Sequence, residues 1–371
     1  MTPLQRYQND IDVNGFTTDP AQQTAVQHLD TLYHQLLAHK PQQRHTLVSK
    51  FSRFLGGAAT QKDLSIQGLY FWGGVGRGKT YLMDVFFDCL PFERKMRTHF
   101  HRFMRRVHQE LTLLKDVSNP LVIVANKIAD EARIICFDEF FVVDIADAMI
   151  LAGLLEHLFE RGVVLVATSN IEPHHLYKNG LQRARFLPAI ALLEKHTLVV
   201  NVDGGIDYRL RTLEQAELYH SPVNDESFVK LSQCFSSLVS HAEHCHENTL
   251  LDIEGRKIQA IKEADDVVWF DFYAVCDGPR SQNDYIELAK EYHTVILSGI
   301  PAFGEKNDDQ ARRFIYLVDE FYDRGVKLIM SAEKPFYELY GHGRLNFEFQ
   351  RTVSRIQEMQ SAEYLASEHK T

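Results

Sequence analysis

Long apolar runs are absent from this sequence, and so is any excess of basic charge. Its apolar stretches are interrupted by charged residues well before the ~18 residues that a spanning helix needs. Any membrane contact is therefore expected to be peripheral. The opening residues, MTPLQRYQND, lack the apolar core of an export signal. Acidic residues outnumber basic ones by 50 to 40, for a net charge of −10. That excludes a globally basic nucleic-acid binder and leaves room only for a local basic patch. Cysteine is scarce: Cys89, Cys136, Cys234, Cys245 and Cys276 are scattered and odd in number. Such a set reads as reduced cytosolic thiols rather than a disulfide framework.

What is present is ordinary for a folded chain, with 45% hydrophobic and 24% charged residues. The 371 residues exceed what one core usually holds, so two domains or one elaborated α/β domain are expected. Residues 19–39 predict a helix, with Asp19 as N-cap, Pro20 at the first turn, and Val26, Leu29, Tyr33, Leu36 and Leu37 as its apolar stripe. Strand-like runs follow at 68–72, 133–137, 163–167 and 198–202. Helical patterns separate them at 79–90, 98–115, 144–160 and 180–195. This alternation implies an α/β fold with a mainly parallel sheet and flanking helices. The second half differs. A helix over 225–244 precedes a β segment over 250–273 with a turn at Glu254-Gly255. Strand 294–298, helix 309–323 and strand 326–330 then form another α/β unit. Its VKLIMSAE resembles the earlier VVLVATSN, as an old duplication or as the common look of buried strands. No glycine-rich loop precedes it, so no second nucleotide site is expected there.

The chemistry concentrates in the first half. Gly73, Gly74, Val75, Gly76, Arg77, Gly78, Lys79 and Thr80 match G-x-x-x-x-G-K-[ST] between an apolar strand and a helix. Glycines let successive amides curl toward phosphate oxygens, and the helix N-terminus adds positive charge. Lys79 would reach the β- and γ-phosphates of ATP, and the Thr80 hydroxyl would ligate Mg²⁺. Downstream, the run Ile134-Ile135-Cys136-Phe137 ends in Asp138-Glu139. Asp138 would hold the Mg²⁺ shell and Glu139 would act as general base on the attacking water. Thr168-Ser169-Asn170 ends the next strand, where Asn170 is the candidate sensor of the γ-phosphate. Arg183, with Arg185 behind it, is the candidate arginine that offsets charge in transfer; a solvated helix arginine is the plain alternative.

Three patterns compete for function. Asn126-Lys127 with Asp130 resembles the guanine-reading N-K-x-D, but the aspartate is one place late and the order is wrong, which favours ATP over GTP. His241, His244, Cys245 and His246 match no defensible zinc spacing. The basic and aromatic run from Lys95 to Arg106 reads as a nucleic-acid surface, a grip for an acidic protein, or a helix face with Phe100 and Phe103 in the core.

Taken together, GLYFWGGVGRGKTYLMD, HFHRFMRRVH, CFDEF, LVATSN, NGLQRARFLPAI and VDGGIDYRLR resemble the ZapE cell-division ATPases, bacterial members of an AAA+ family with mitochondrial relatives. PRSQNDYIELAKEYHTV, ARRFIYLVDEFYDRGVKLIMSAE and FEFQRTVSRIQEMQS extend the likeness over nearly the whole chain. The expected organisation is a helical arm at 1–66, an AAA+ P-loop ATPase core at 67–205, and a C-terminal α/β region at 206–371 with a terminal helix. The resemblance implies a cytoplasmic ATPase at the division site that binds FtsZ and lowers the stability of its polymers with ATP. It also implies a homo-oligomer, a hexameric ring being the common AAA+ form, with Arg183 acting in trans. Arg209, Arg211, Arg312 and Arg313 are all candidates for a second arginine sensor. Two rival readings stay open: a helicase-loader-like ATPase linked to nucleic acid, which the net acidity disfavours, and an ATP-dependent quality-control factor for membrane proteins.

Overall fold

The computed structural model describes residues 1–14, 19–39, 66–74, 77–115, 117–204, 213, 216–239, 245–253, 255–264, 266–367 and 369–370. The chain divides into two compact units, Met1–Ile206 and Asp207–Thr371.

In the first unit, β1 (Gly68–Trp72), β2 (Lys95–His99), β3 (Ile134–Asp138), β4 (Val164–Ser169) and β5 (Thr197–Asn201) form one sheet. Their order is β2-β3-β4-β1-β5 and every pairing is parallel. β1, β3 and β4 are covered on both faces, which is why they read as continuous apolar runs. Successive residues of a strand enter opposite cores. Leu69, Phe71, Ile134, Cys136, Val164 and Val166 pack on one face with α1 (Pro3–Asn14), α2 (Pro20–Ala38) and α3 (Lys79–Cys89). Tyr70, Ile135, Phe137, Leu165 and Ala167 pack on the other with α4 (Phe100–Leu113), α5 (Pro120–Glu131), α6 (Ile145–Glu160) and α7 (Arg183–His196). The parallel α/β sheet with helices on both faces is the architecture expected. Burial pushes the Cys136 thiol well above its ordinary range, so it serves as a neutral core side chain.

The N-terminal helices share the core of the P-loop helix. Asp19 caps α2, accepting from Ala21 N at 2.8 Å. Val26, Leu29, Tyr33 and Leu36 are buried, but Leu37 is 42% exposed and falls outside the stripe assigned to it. From α1, Arg6 bonds Asp88 at 2.9 Å, and Asp10 accepts from the Tyr81 hydroxyl at 2.8 Å.

β2 departs from expectation. The helix predicted from residue 98 starts at Phe100, and Lys95–His99 before it is a half-buried strand that, among the described residues, lies at the sheet edge and pairs only with β3. Lys95 Nζ donates to the carbonyls of Phe87 (2.7 Å) and Leu90 (2.9 Å), satisfying the C-terminal end of α3. Phe100 and Phe103 are buried, as the helix-face reading required. Arg106 bonds Glu131 at 2.6 Å. Asn126, Lys127 and Asp130 lie on α5, where Lys127 pairs with Glu110 and Asp130 with Arg161, so they form a helix surface and not a base-reading loop.

In the second unit, β6 (Tyr219–His220) is followed by α8 (Asp225–Leu238) and β7 (His246–Glu247). β8 (Leu250–Ile253) and β9 (Arg256–Gln259) form a separate hairpin. After β10 (Lys262–Ala264) and β11 (Val267–Asp271) come α9 (Phe272–Cys276), α10 (Gln282–Glu291), β12 (Thr294–Ile300), α11 (Asp308–Arg324), β13 (Lys327–Ala332), α12 (Asn346–Met359) and α13 (Ala362–Leu365). The sheet order is β6-β13-β12-β11-β10-β7, parallel from β6 to β11 and antiparallel beyond. The helix predicted over 225–244 ends at Leu238; residues 241–244 and Glu254 lie outside the described residues. No helix among the described residues is long and apolar enough to cross a membrane.

Replacing Asp19 with Ala removes the cap of a helix buried against α3. The expected loss is about 1 kcal/mol, read as a fall of roughly 2–4 °C in the melting temperature.

Candidate functional site

The chain leaves β1 at Trp72, turns through Gly73 and Gly74, and enters α3 at Lys79. Val75 and Gly76 of the motif lie outside the described residues. Gly78 has φ 78°, and a Cβ there would fall 2.4 Å from Gln22 Nε2, so the position requires glycine. Gln22, buried on α2, donates from Nε2 to the Arg77 carbonyl at 3.2 Å and so braces the loop. No side chain caps the N-terminus of α3, an end whose free amides favour an anion. Lys79 Nζ donates to the carbonyls of Gly73 (2.8 Å) and Gly74 (2.6 Å), folding the cation over the loop. Arg77 Nε lies 2.8 Å from Asp203 Oδ1, a half-exposed pair that contributes little stability.

Asp138 closes β3 and is 6% exposed. Arg97, on β2, donates from Nε to Asp138 Oδ2 at 2.7 Å and from Nη2 to Oδ1 at 3.4 Å. Its Nη1 donates to Asp84 Oδ1 on α3. One guanidinium therefore bonds both the P-loop helix and the carboxylate at the end of β3, bringing the two halves of the candidate site together. Neither Asp84 nor Arg97 was singled out from sequence. The available signals were a charge inside the apolar run LMDVFF and an arginine in the alternating KMRTH.

Glu139 adopts φ 53°, a left-handed conformation that costs a non-glycine residue about 1–2 kcal/mol. Bonds to β4 hold it there. Its N–H donates to Thr168 Oγ1 at 3.2 Å, and the Phe140 N–H donates to the Thr168 carbonyl at 2.6 Å. Ser169 Oγ donates to the Phe140 carbonyl at 2.6 Å, and Gly73 N–H donates to the Ser169 carbonyl at 3.3 Å. The C-terminal ends of β1, β3 and β4 are thus tied together at the edge where open parallel sheets bind ligands. Thr168 and Ser169 are committed to backbone. The Asn170 amide and the Thr80 hydroxyl make no hydrogen bond to any described residue.

Arg183 is not bonded into this constellation among the described residues. It begins α7, and its Nη2 donates to the His174 carbonyl at 2.7 Å. Arg185 is exposed on the same helix. Among the described residues, no bond joins either arginine to the loop or the acidic pair. Arg312 and Arg313 lie on α11; Arg209, Arg211, His241 and His244 lie outside the described residues.

The donor set fits a magnesium nucleotide. Loop amides and Lys79 suit phosphate oxygens, and the Thr80 hydroxyl with the Asp138 carboxylate offers the oxygen-only ligation that a hard cation takes.

Comparison with known proteins supports the nucleotide part of this reading. The family model of AFG1-like ATPases matches residues 1–368. Cell division protein ZapE of Escherichia coli (strain K12) is 47% identical over 371 residues, covering 100% of this chain and 98% of that protein. Lactation elevated protein 1 homolog B of Danio rerio is 37% identical over 345 residues, covering 81% of this chain and 69% of that protein. Among solved structures, AMPPCP-bound DnaA from Aquifex aeolicus is 12% identical with a TM-score of 0.36, covering 54% of this chain and 53% of that chain. The DnaC helicase loader is 12% identical with a TM-score of 0.34, covering 53% and 98%. Scores this low add nothing to the fold seen directly.

Thr168→Val removes the acceptor that secures the Glu139 amide without changing side-chain volume much. The expected cost is about 1–3 kcal/mol, because a half-buried N–H loses its partner. Urea unfolding should show a lower midpoint with an unchanged slope.

Proposed function

The chain belongs to the AFG1-like ATPase family, and from that premise we propose that it is a Mg²⁺-dependent ATPase of the cell-division machinery that binds FtsZ and lowers the stability of FtsZ polymers when ATP is present. The observation that carries the proposal is the 47% identity with a cell division protein over all 371 residues. On this reading the protein acts in the cytoplasm at the division site.

The amides of the loop and Lys79 bind the β- and γ-phosphates. Thr80 and Asp138 would hold Mg²⁺, which when bound would offset charge on those phosphates. Glu139 orients a water molecule and accepts its proton as the water oxygen attacks the γ-phosphorus; the bond to the bridging oxygen breaks and ADP leaves. The strained backbone of Glu139 supports this role, since such strain persists where surrounding bonds aim a side chain. Asn170, its amide uncommitted, sits at the strand end suited to sensing the γ-phosphate. Arg183 acts across the boundary of a homo-oligomeric ring, on the neighbour's nucleotide; that no bond among the described residues joins it to the acidic pair supports action in trans. ATP shifts the polymer equilibrium only if the two nucleotide states differ in affinity for FtsZ.

The nucleic-acid reading draws less support, because Arg97 and Arg106 of the basic run are engaged with carboxylates. Stimulation of ATP turnover by single-stranded DNA with steep salt dependence would favour it instead.

Lys79→Ala should abolish ATP binding. Glu139→Gln should keep binding and lose turnover by roughly 10²-fold or more. Wild-type hydrolysis in both would overturn the site. In sedimentation, FtsZ should pellet less with the protein and ATP than with the protein alone, and chelation of Mg²⁺ by EDTA should remove the difference. Equal pelleting with and without ATP would reject the division reading.

A further inference from the structure

Asp84 carries a charge that the proposed mechanism does not use. It is 0% exposed, on α3 between the buried Met83 and Val85. A carboxylate so placed is costly unless it is paired and has a task. Among its partners is Arg97, whose guanidinium also grips Asp138, closely at Oδ2 (2.7 Å) and loosely at Oδ1 (3.4 Å).

We propose that Asp84 and Arg97 are positioning residues for the metal ligand Asp138. Arg97 fixes the Asp138 carboxylate through Oδ2 and leaves Oδ1 as the less committed oxygen. Asp84 offsets the charge of Arg97, so the three groups together keep one net negative charge. Without Asp84, the Arg97–Asp138 pair is neutral and attracts a divalent cation less. Without Arg97, two carboxylates are left against each other and Asp138 loses its fixed orientation. The inference rests on reading Asp138 as a Mg²⁺ ligand.

Asp84→Asn keeps the side-chain shape and the oxygen that accepts from Arg97, and removes only the charge. Binding of a fluorescent ATP analogue to the purified full-length chain, measured in EDTA and across a Mg²⁺ series, isolates the effect. In EDTA the affinity should stay within about twofold of wild type, while half-saturating Mg²⁺ should rise roughly tenfold. Arg97→Lys keeps the charge but lacks the planar fork and should shift the Mg²⁺ requirement the same way. An Asp84→Asn protein with unaltered Mg²⁺ dependence, whatever its melting temperature, overturns the proposal. Should Asp84→Asn not fold, an unshifted Arg97→Lys overturns it equally. Mg²⁺-independent binding by the wild type would remove the metal reading of Asp138 and this inference with it. An unshifted variant beside a Mg²⁺-dependent wild type removes this inference alone.

Discussion

Arg97 bonds two carboxylates that belong to different elements, Asp84 on the P-loop helix and Asp138 at the end of β3. All three groups are largely withdrawn from water. Breaking such an arrangement by removing one member strands a buried charge, which typically costs about 3–5 kcal/mol. The pairing therefore fixes where the helix that follows the loop stands relative to the acidic strand end. The rest of the site is assembled on that reference. Thr168 and Ser169 stitch β4 to the backbone after Asp138, and Gly73 joins β1 to the same seam.

Strain at Glu139 follows from this framework. A left-handed glutamate does not hold itself in place, so its neighbours must over-determine it. They do so with two backbone donors, from Glu139 and Phe140, both directed at Thr168. The polar residues at the end of β4 thus divide into two kinds. Thr168 and Ser169 maintain geometry, and Asn170 is left with its amide available.

Much of this was legible in the sequence, for a physical reason. Strands covered on both faces must be apolar throughout, so β1, β3 and β4 announce themselves. Asp19 before Pro20 announces a helix start because the cap is a local interaction. β2 was not legible. An edge strand with one neighbour needs no continuous apolar run, and Lys-Met-Arg-Thr-His looks like the polar approach to the helix that follows. Leu37 was misjudged because helical periodicity marks a face without saying where cover ends. The partnership of Asp84, Arg97 and Asp138 was hidden for a deeper reason: each charge is unremarkable in its own segment, and their contact exists only after a helix and two strands have met.

Among the described residues β2 is an outer strand of its sheet, and an outer strand offers unpaired amides and carbonyls to any other extended chain. Charged side chains on such a strand discourage that union, and here they are Lys95 and Arg97. Each is also tied inward, Lys95 to the end of α3 and Arg97 to the two acids. The same two side chains that charge this outer strand therefore also tie it to the end of α3 and to the carboxylates of Asp84 and Asp138.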